Sequence, residues 1–147
     1  HWEMLLWDLG YARSAENRVG MLFWRMHRCA RIVVSLGFHL GEMAQAQMVD
    51  FLVERVGHER FTATSEVRRY VGEAYPPLYQ CAYMVVGLQV RALWRRLEGE
   101  GWSERRFHDA VLREGPIPID LLGAALTGRR LGAVAKARRE ALGSGVS

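Results

Sequence analysis

Cross-linking chemistry is scarce in this chain. It has two cysteines in 147 residues, with no C-x-x-C pair and no zinc-ribbon spacing, which excludes a disulfide scaffold and a thiolate-held structural metal. Cys29 and Cys81 both sit in apolar segments, so two buried thiols in a reducing cytosol are expected. Long hydrophobic runs are missing too. "RIVVSLGFHLG" and "CAYMVVGLQV" fall short of the ~18 apolar residues a membrane-spanning helix needs, and no basic-then-apolar leader opens the chain. The expectation is a cytoplasmic protein with no membrane partner. There is no H-E-x-x-H, no glycine-rich phosphate loop and no G-x-S-x-G, so the chain carries no complete active site of those kinds. The opening "HWEMLLWDLG" is already amphipathic from His1 and reads as the middle of a helix, which predicts a further N-terminal portion upstream.

Half of the residues are hydrophobic, enough for one domain with a real core. The net charge of +4 comes from 20 basic against 16 acidic residues. The arginines are scattered as doublets among glutamates rather than gathered on one face, so no nucleic-acid partner is expected.

Helical periodicity dominates, and the fold class that follows is all-α, an irregular multi-helix bundle. Between Ser14 and Leu36, Val19, Leu22, Phe23, Met26, Ala30, Val33 and Val34 recur at three- and four-residue steps and predict one inward stripe. Ser14 is the expected N-cap and Gly37 the expected stop. A second helix is expected from Met43 to Val56, closed by Gly57, and a third from Thr64 or Ser65 through Val71. The segment from Pro77 to Leu97 predicts a long helix whose first half, apolar all round, is buried. Ser103 opens a shorter helix through Arg113, and Pro118 or Asp120 opens another. Residues 1–131 form the main helical portion, and 132–147 a terminal helix and frayed tail.

Within this frame a few side chains carry chemistry. Tyr79 and Tyr83 are one turn apart and share a helix face; two phenols pointing one way pack as an aromatic shelf or donate to an oxyanion. Arg91, two turns on, offers a guanidinium for a carboxylate or an ion pair to Glu66, Glu73 or Glu98. His39 is a surface or capping histidine, or a donor in a cleft. His108 and Asp109 point about 100° apart on a helix and so are no catalytic pair; His108 beside Phe107 reads as half-buried.

Four stretches in order, "WDLGY" at 7–11, "ARIVVSLGFHLGEM" at 30–43, "YPPLYQCAYMVVGLQVRAL" at 75–93 and "FHDAVLREGPIPIDLL" at 107–122, resemble the C-terminal half of the bacterial domain of unknown function 885 family. That resemblance implies a zincin-like, mostly helical metallopeptidase. Its zinc ligands and water-activating glutamate would come from an H-E-x-x-P-G-H helix and a later glutamate, upstream of His1 here. It implies that this chain holds no metal ligand and is inactive alone. The implied catalytic residues are Tyr83, then Tyr79, as oxyanion donors, with His39 as the imidazole candidate; Arg91 and His108 would bind substrate, a peptide or small carboxylate. Apolar faces left by a missing half would favour self-association. Two positions depart from the family pattern: Ser35 stands where Asp is frequent, and Val86 where glycine is, with Gly87 following. The alternative is a non-enzymatic helical binding or interaction module.

Overall fold

The computed structural model describes residues 1–72, 74–128 and 132. The protein is all-α: seven α-helices and no strand among the described residues. They are α1 (Trp2–Asp8), α2 (Ala15–His39), α3 (Gln45–Phe51), α4 (Arg60–Val71), α5 (Ala82–Gly99), α6 (Glu104–Glu114) and α7 (Ile119–Thr127). A π-helical turn, Leu52–Val56, continues α3, and a 3-10 turn, Tyr79–Cys81, precedes α5. The chain divides into two compact units, residues 1–88 and 89–147. The terminal helix expected beyond residue 132 lies outside the described residues.

The first unit is built on α2. Ser14 caps it as expected, its hydroxyl accepting from the Asn17 amide at 3.2 Å. Gly37 does not end it; α2 continues to His39, and the chain turns at Gly41 with φ 75°. Gly37 serves closeness instead, because a Cβ there would meet the Cβ of Met43 at 3.1 Å. The inward face also differs from the apolar stripe. Ala30 and Val34 are buried, but so are His27 and Arg31, whereas Val19, Leu22, Met26 and Val33 are exposed. The buried face is turned by one residue, about 100°, because polar partners on α4 and in the loop before it hold His27 and Arg31 inside.

Ala30 and Val34 pack with Met48, Val49, Leu52, Val56, Ala63, Val67 and Tyr70 to form the core of this unit. Gly57, in the left-handed conformation at φ 83°, ends the π-helical turn. The His58 amide then reaches back to the Leu52 carbonyl at 3.2 Å, a closure one residue wider than the usual glycine cap, and the His58 ring is buried. The helix after it, α4, starts at Arg60, four residues before its expected start, with Glu59 as an N-cap that makes no side-chain bond.

The expected long helix from Pro77 is also corrected. Pro76, Pro77 and Leu78 form a turn, and Leu78 is the one non-glycine described residue with positive φ, 64°. The α-helix begins only at Ala82, and its first half is largely exposed, Tyr83, Val85, Val86 and Leu88 included. Nor are the thiols both buried: Cys29 is exposed and Cys81 half-buried. Gly87 lets α1 come close, since a Cβ there would lie 3.2 Å from the His1 backbone nitrogen.

In the second unit Trp94, Leu97 and Phe107 form the core, with Val90, Leu93, Trp102, Val111 and Leu126 packed on it. Ser103 caps α6 as expected, accepting from the Arg106 amide at 3.3 Å, and Pro118 stands immediately before α7.

Candidate functional site

The chemistry of the first unit gathers on α2, α4 and the turn into α5. Glu66 on α4 is the hub. Its Oε2 accepts from Arg31 Nη2 at 2.8 Å and from the Tyr70 hydroxyl at 2.9 Å. Its Oε1 accepts from Arg69 Nη1 at 2.9 Å. Arg31 also donates through Nε to the Tyr70 hydroxyl at 3.2 Å. Arg31, 8% exposed as a residue, needs such partners, because an unpaired buried charge costs several kcal/mol, ~3–5 when one partner is removed.

A histidine pair extends this network inward. His27 Nδ1 and His58 Nε2 lie 2.7 Å apart, and His27 Nε2 faces Glu66 Oε2 at 3.5 Å. One proton sequence satisfies both contacts: His58 Nε2–H donates to His27 Nδ1, and the Nε2–H of His27 points at the carboxylate. The contact to Glu66 is long and acts through charge more than as a hydrogen bond. His27, Arg31 and Tyr70 together hold the Glu66 carboxyl well below the usual carboxylate range, against the opposing effect of burial. Burial, with His27 and Arg31 nearby, pushes the His58 imidazole below its ordinary value, and Glu66 opposes this. Burial and the Glu66 charge raise the Tyr70 phenol, which therefore stays a donor.

This buried network underlies an exposed ladder of tyrosines. The Arg31 guanidinium lies 5.2 Å from the ring centre of Tyr83, and the Arg69 guanidinium 5.9 Å from that of Tyr75. Tyr75 and Tyr79 stack at 4.8 Å, and Tyr79 meets Tyr83 edge-on at 6.0 Å. The left-handed Leu78 sets up this arrangement: it reverses the chain so that Gln80 turns in, 2% exposed, while Tyr79 stays 42% exposed. Proximity to the Tyr83 hydroxyl raises the Tyr79 phenol above its ordinary value, so it too remains protonated. Two half-exposed phenols beside two guanidiniums are suited to hydrogen-bonding an anionic oxygen.

Of the residues singled out from sequence, Tyr79 and Tyr83 are thus brought together. His39, exposed at the end of α2, lines a cleft of about 480 Å³ with Tyr70, Val71, Gly72, Tyr75, Pro76 and Pro77. Arg91 and His108 belong to the second unit. His108 stacks on Trp94 at 6.4 Å, within the aromatic core there. Glu66, one of the carboxylates considered for Arg91, is engaged by Arg31 and Arg69, and Glu98 is engaged by Arg95 at 3.2 Å.

His27, Arg31, His58 and Tyr70 were not singled out from sequence as site residues. One signal was available: His27 and Arg31 are four apart, each next to a residue of the apolar stripe, so they border the inward face. Nothing in the sequence pairs them with Glu66, 35 residues beyond Arg31.

No group of three or more His, Cys, Asp or Glu side chains among the described residues is disposed to hold a metal ion. The closest set confirms this chemically. His27 and His58 are near enough to share a proton, and both oxygens of Glu66 are taken by guanidiniums. A zinc ion does not fit there.

Against known proteins, one family matches, described as bacterial protein of unknown function (DUF885), and its model covers residues 2–126. The chain belongs to this family. The DUF885 match takes in all seven helices but the last residue of α7, and so includes both the buried Glu66 network and the tyrosine ladder. No curated protein and no solved structure matches.

Proposed function

We propose that this DUF885 chain is the substrate-binding and oxyanion-stabilising helical portion of a zinc-dependent, peptidase-like hydrolase. In this reading the phenols of Tyr83 and Tyr79 donate to the oxyanion that forms when a peptide carbonyl is attacked. His39 borders the adjoining cleft as a further donor, and Arg91 and His108 are substrate-binding residues. In the same reading the zinc ligands and the water-activating carboxylate lie upstream of His1, and this chain alone is inactive. The substrate is a peptide or small carboxylate.

The observation that supports the reading is the pairing of Tyr79 with Tyr83 at 6.0 Å, half-exposed, over a guanidinium that Glu66 fixes in place. A donor held by packing and ion pairs loses little freedom when charge develops beside it, and preorganisation of this kind gives oxyanion donors their effect. The test is peptide hydrolysis by the product of the native reading frame, before and after chelation. Hydrolysis that chelation abolishes and zinc restores is expected; a protein that binds zinc but cleaves no peptide refutes the proposal.

A non-enzymatic helical interaction module is the second reading. It draws on α2, where Val19, Leu22, Met26, Val33 and Leu36 are exposed apolar residues.

A further inference from the structure

On the α1 side of Tyr83 lies a second concavity, separate from the His39 cleft. It measures about 250 Å³ and is lined by His1, Trp2, Glu3, Met4, Arg25, Arg28, Tyr83 and Met84. Gly87 favours it, because a Cβ there would crowd the His1 backbone nitrogen at 3.2 Å. Two guanidiniums one turn apart on α2 enter this space, and their situations differ. Arg28 is matched by Glu3, Nη1 to Oε2 at 2.6 Å. Arg25 instead rests against an aromatic ring, its guanidinium 5.6 Å from the ring centre of Trp7. Its Nε is fully buried with no hydrogen-bond partner.

A buried donor on a charged group, left without an acceptor, is rare in a finished structure and calls for one. The rest of the lining describes that acceptor. Glu3 is engaged by Arg28, so the unsatisfied donor on Arg25 faces a lining in which the one carboxylate is already paired. Trp2, Met4, Met84 and the Tyr83 ring supply apolar surface. The volume lies below the range of drug-sized ligand pockets, ~300–1,000 Å³. We infer that this pocket binds a small organic carboxylate with a short apolar body, such as the C-terminal residue of a peptide, with Arg25 as its principal charge partner. The inference rests on the proposed hydrolase only for the peptide origin of the ligand.

Binding is measured without turnover. N-acetyl-leucine, N-acetyl-leucinamide and inorganic phosphate are titrated into the protein, followed by calorimetry and by the indole ¹H–¹⁵N resonances of Trp2 and Trp7. N-acetyl-leucine is expected to saturate and to shift both indoles, and the amide and phosphate to bind at least 10-fold more weakly, because each lacks either the charge or the apolar body. Arg25→Gln should weaken N-acetyl-leucine by about 10- to 100-fold, the usual effect of losing a charge-assisted hydrogen bond. Arg105→Gln on α6 should leave it unchanged. Should Arg25→Gln lose helicity, Arg25→Lys decides, since it keeps the charge but not the planar fork and should bind several-fold more weakly. Equal affinity for acid and amide, phosphate binding as tightly as N-acetyl-leucine, or a folded Arg25 variant with unchanged affinity overturns the assignment. Intact binding in a protein that hydrolyses nothing sinks the hydrolase reading and leaves this site standing.

Discussion

Glu66→Gln isolates the electrostatics of the buried network with little change in shape. The wild-type carboxylate serves Arg31, Arg69 and Tyr70 directly and faces His27. The amide can still accept from Tyr70 and from one guanidinium, so the loss is chiefly one of charge. Arg69, whose side chain is 41% exposed, loses a contact worth at most ~1 kcal/mol. Arg31 matters more, because its guanidinium stays inside without a counter-charge. Removing one partner of a buried pair costs ~3–5 kcal/mol. Since the Glu66 side chain is 16% exposed, we take the low end, about 3 kcal/mol in total. At roughly 2–4 °C per kcal/mol for a chain of this size, the melting temperature should fall by roughly 6–12 °C at pH 7. Urea unfolding followed by circular dichroism measures the same quantity as a shift in midpoint.

The pH dependence provides a second arm. Because the native Glu66 carboxyl is depressed below its ordinary value of 4.5, the unfolded chain takes up the proton first. The stabilisation is therefore complete above about pH 4.5 and is lost as the pH falls below it. The gap between wild type and variant should narrow over that range. Adding Arg31→Met to Glu66→Gln should recover much of the loss, since an apolar side chain needs no counter-charge. A Glu66→Gln protein within ~0.5 kcal/mol of wild type at pH 7 would show that the network is not a stabilising charge cluster.

Further outcomes follow from particular residues. His58→Gln can still donate to His27 but cannot titrate, so the loss of stability below pH 6.5, expected because the native imidazole is depressed, should flatten in urea melts across pH 7 to 5. Gly20, inside α2 with open space at its Cβ position, should gain about 0.5–1 kcal/mol as alanine, whereas Gly37→Ala should gain nothing, because Met43 stands 3.1 Å away. Leu78→Gly should be within ~0.5 kcal/mol of wild type, since relief of the left-handed strain offsets the entropy of glycine. Leu88→Gly, within α5, should cost ~1 kcal/mol; equal costs at the two positions would argue against the positive φ of Leu78.

What was legible in the sequence follows from what local patterns encode. Ser14, Ser103 and Gly57 act through bonds or dihedrals a few residues away, and each took its expected place. The tyrosines at 79 and 83 met as expected, although through a 3-10 turn rather than one helix, because their separation is local. The inward face of α2 departs from its apolar stripe for a non-local reason. Its orientation is set by Glu66 and His58, more than 30 positions from His27, which compensate two polar side chains that hydropathy places outside. The first half of the Pro77–Leu97 segment is exposed for a similar reason: an all-apolar run makes burial favourable but does not specify which surface it meets. The pairing of Arg31 with Glu66, and so the support beneath Tyr83, required the tertiary structure.

The account turns on whether the paired phenols act on a developing oxyanion. The most direct measurement is kcat/KM for peptide hydrolysis by the native reading-frame product carrying Tyr83→Phe, with Tyr79→Phe beside it. Loss of one oxyanion donor predicts a fall of ~100- to 1,000-fold carried by kcat, in a protein of unchanged helicity. Turnover within a factor of a few of wild type in both variants would contradict the account and leave the ladder a packing feature of α5.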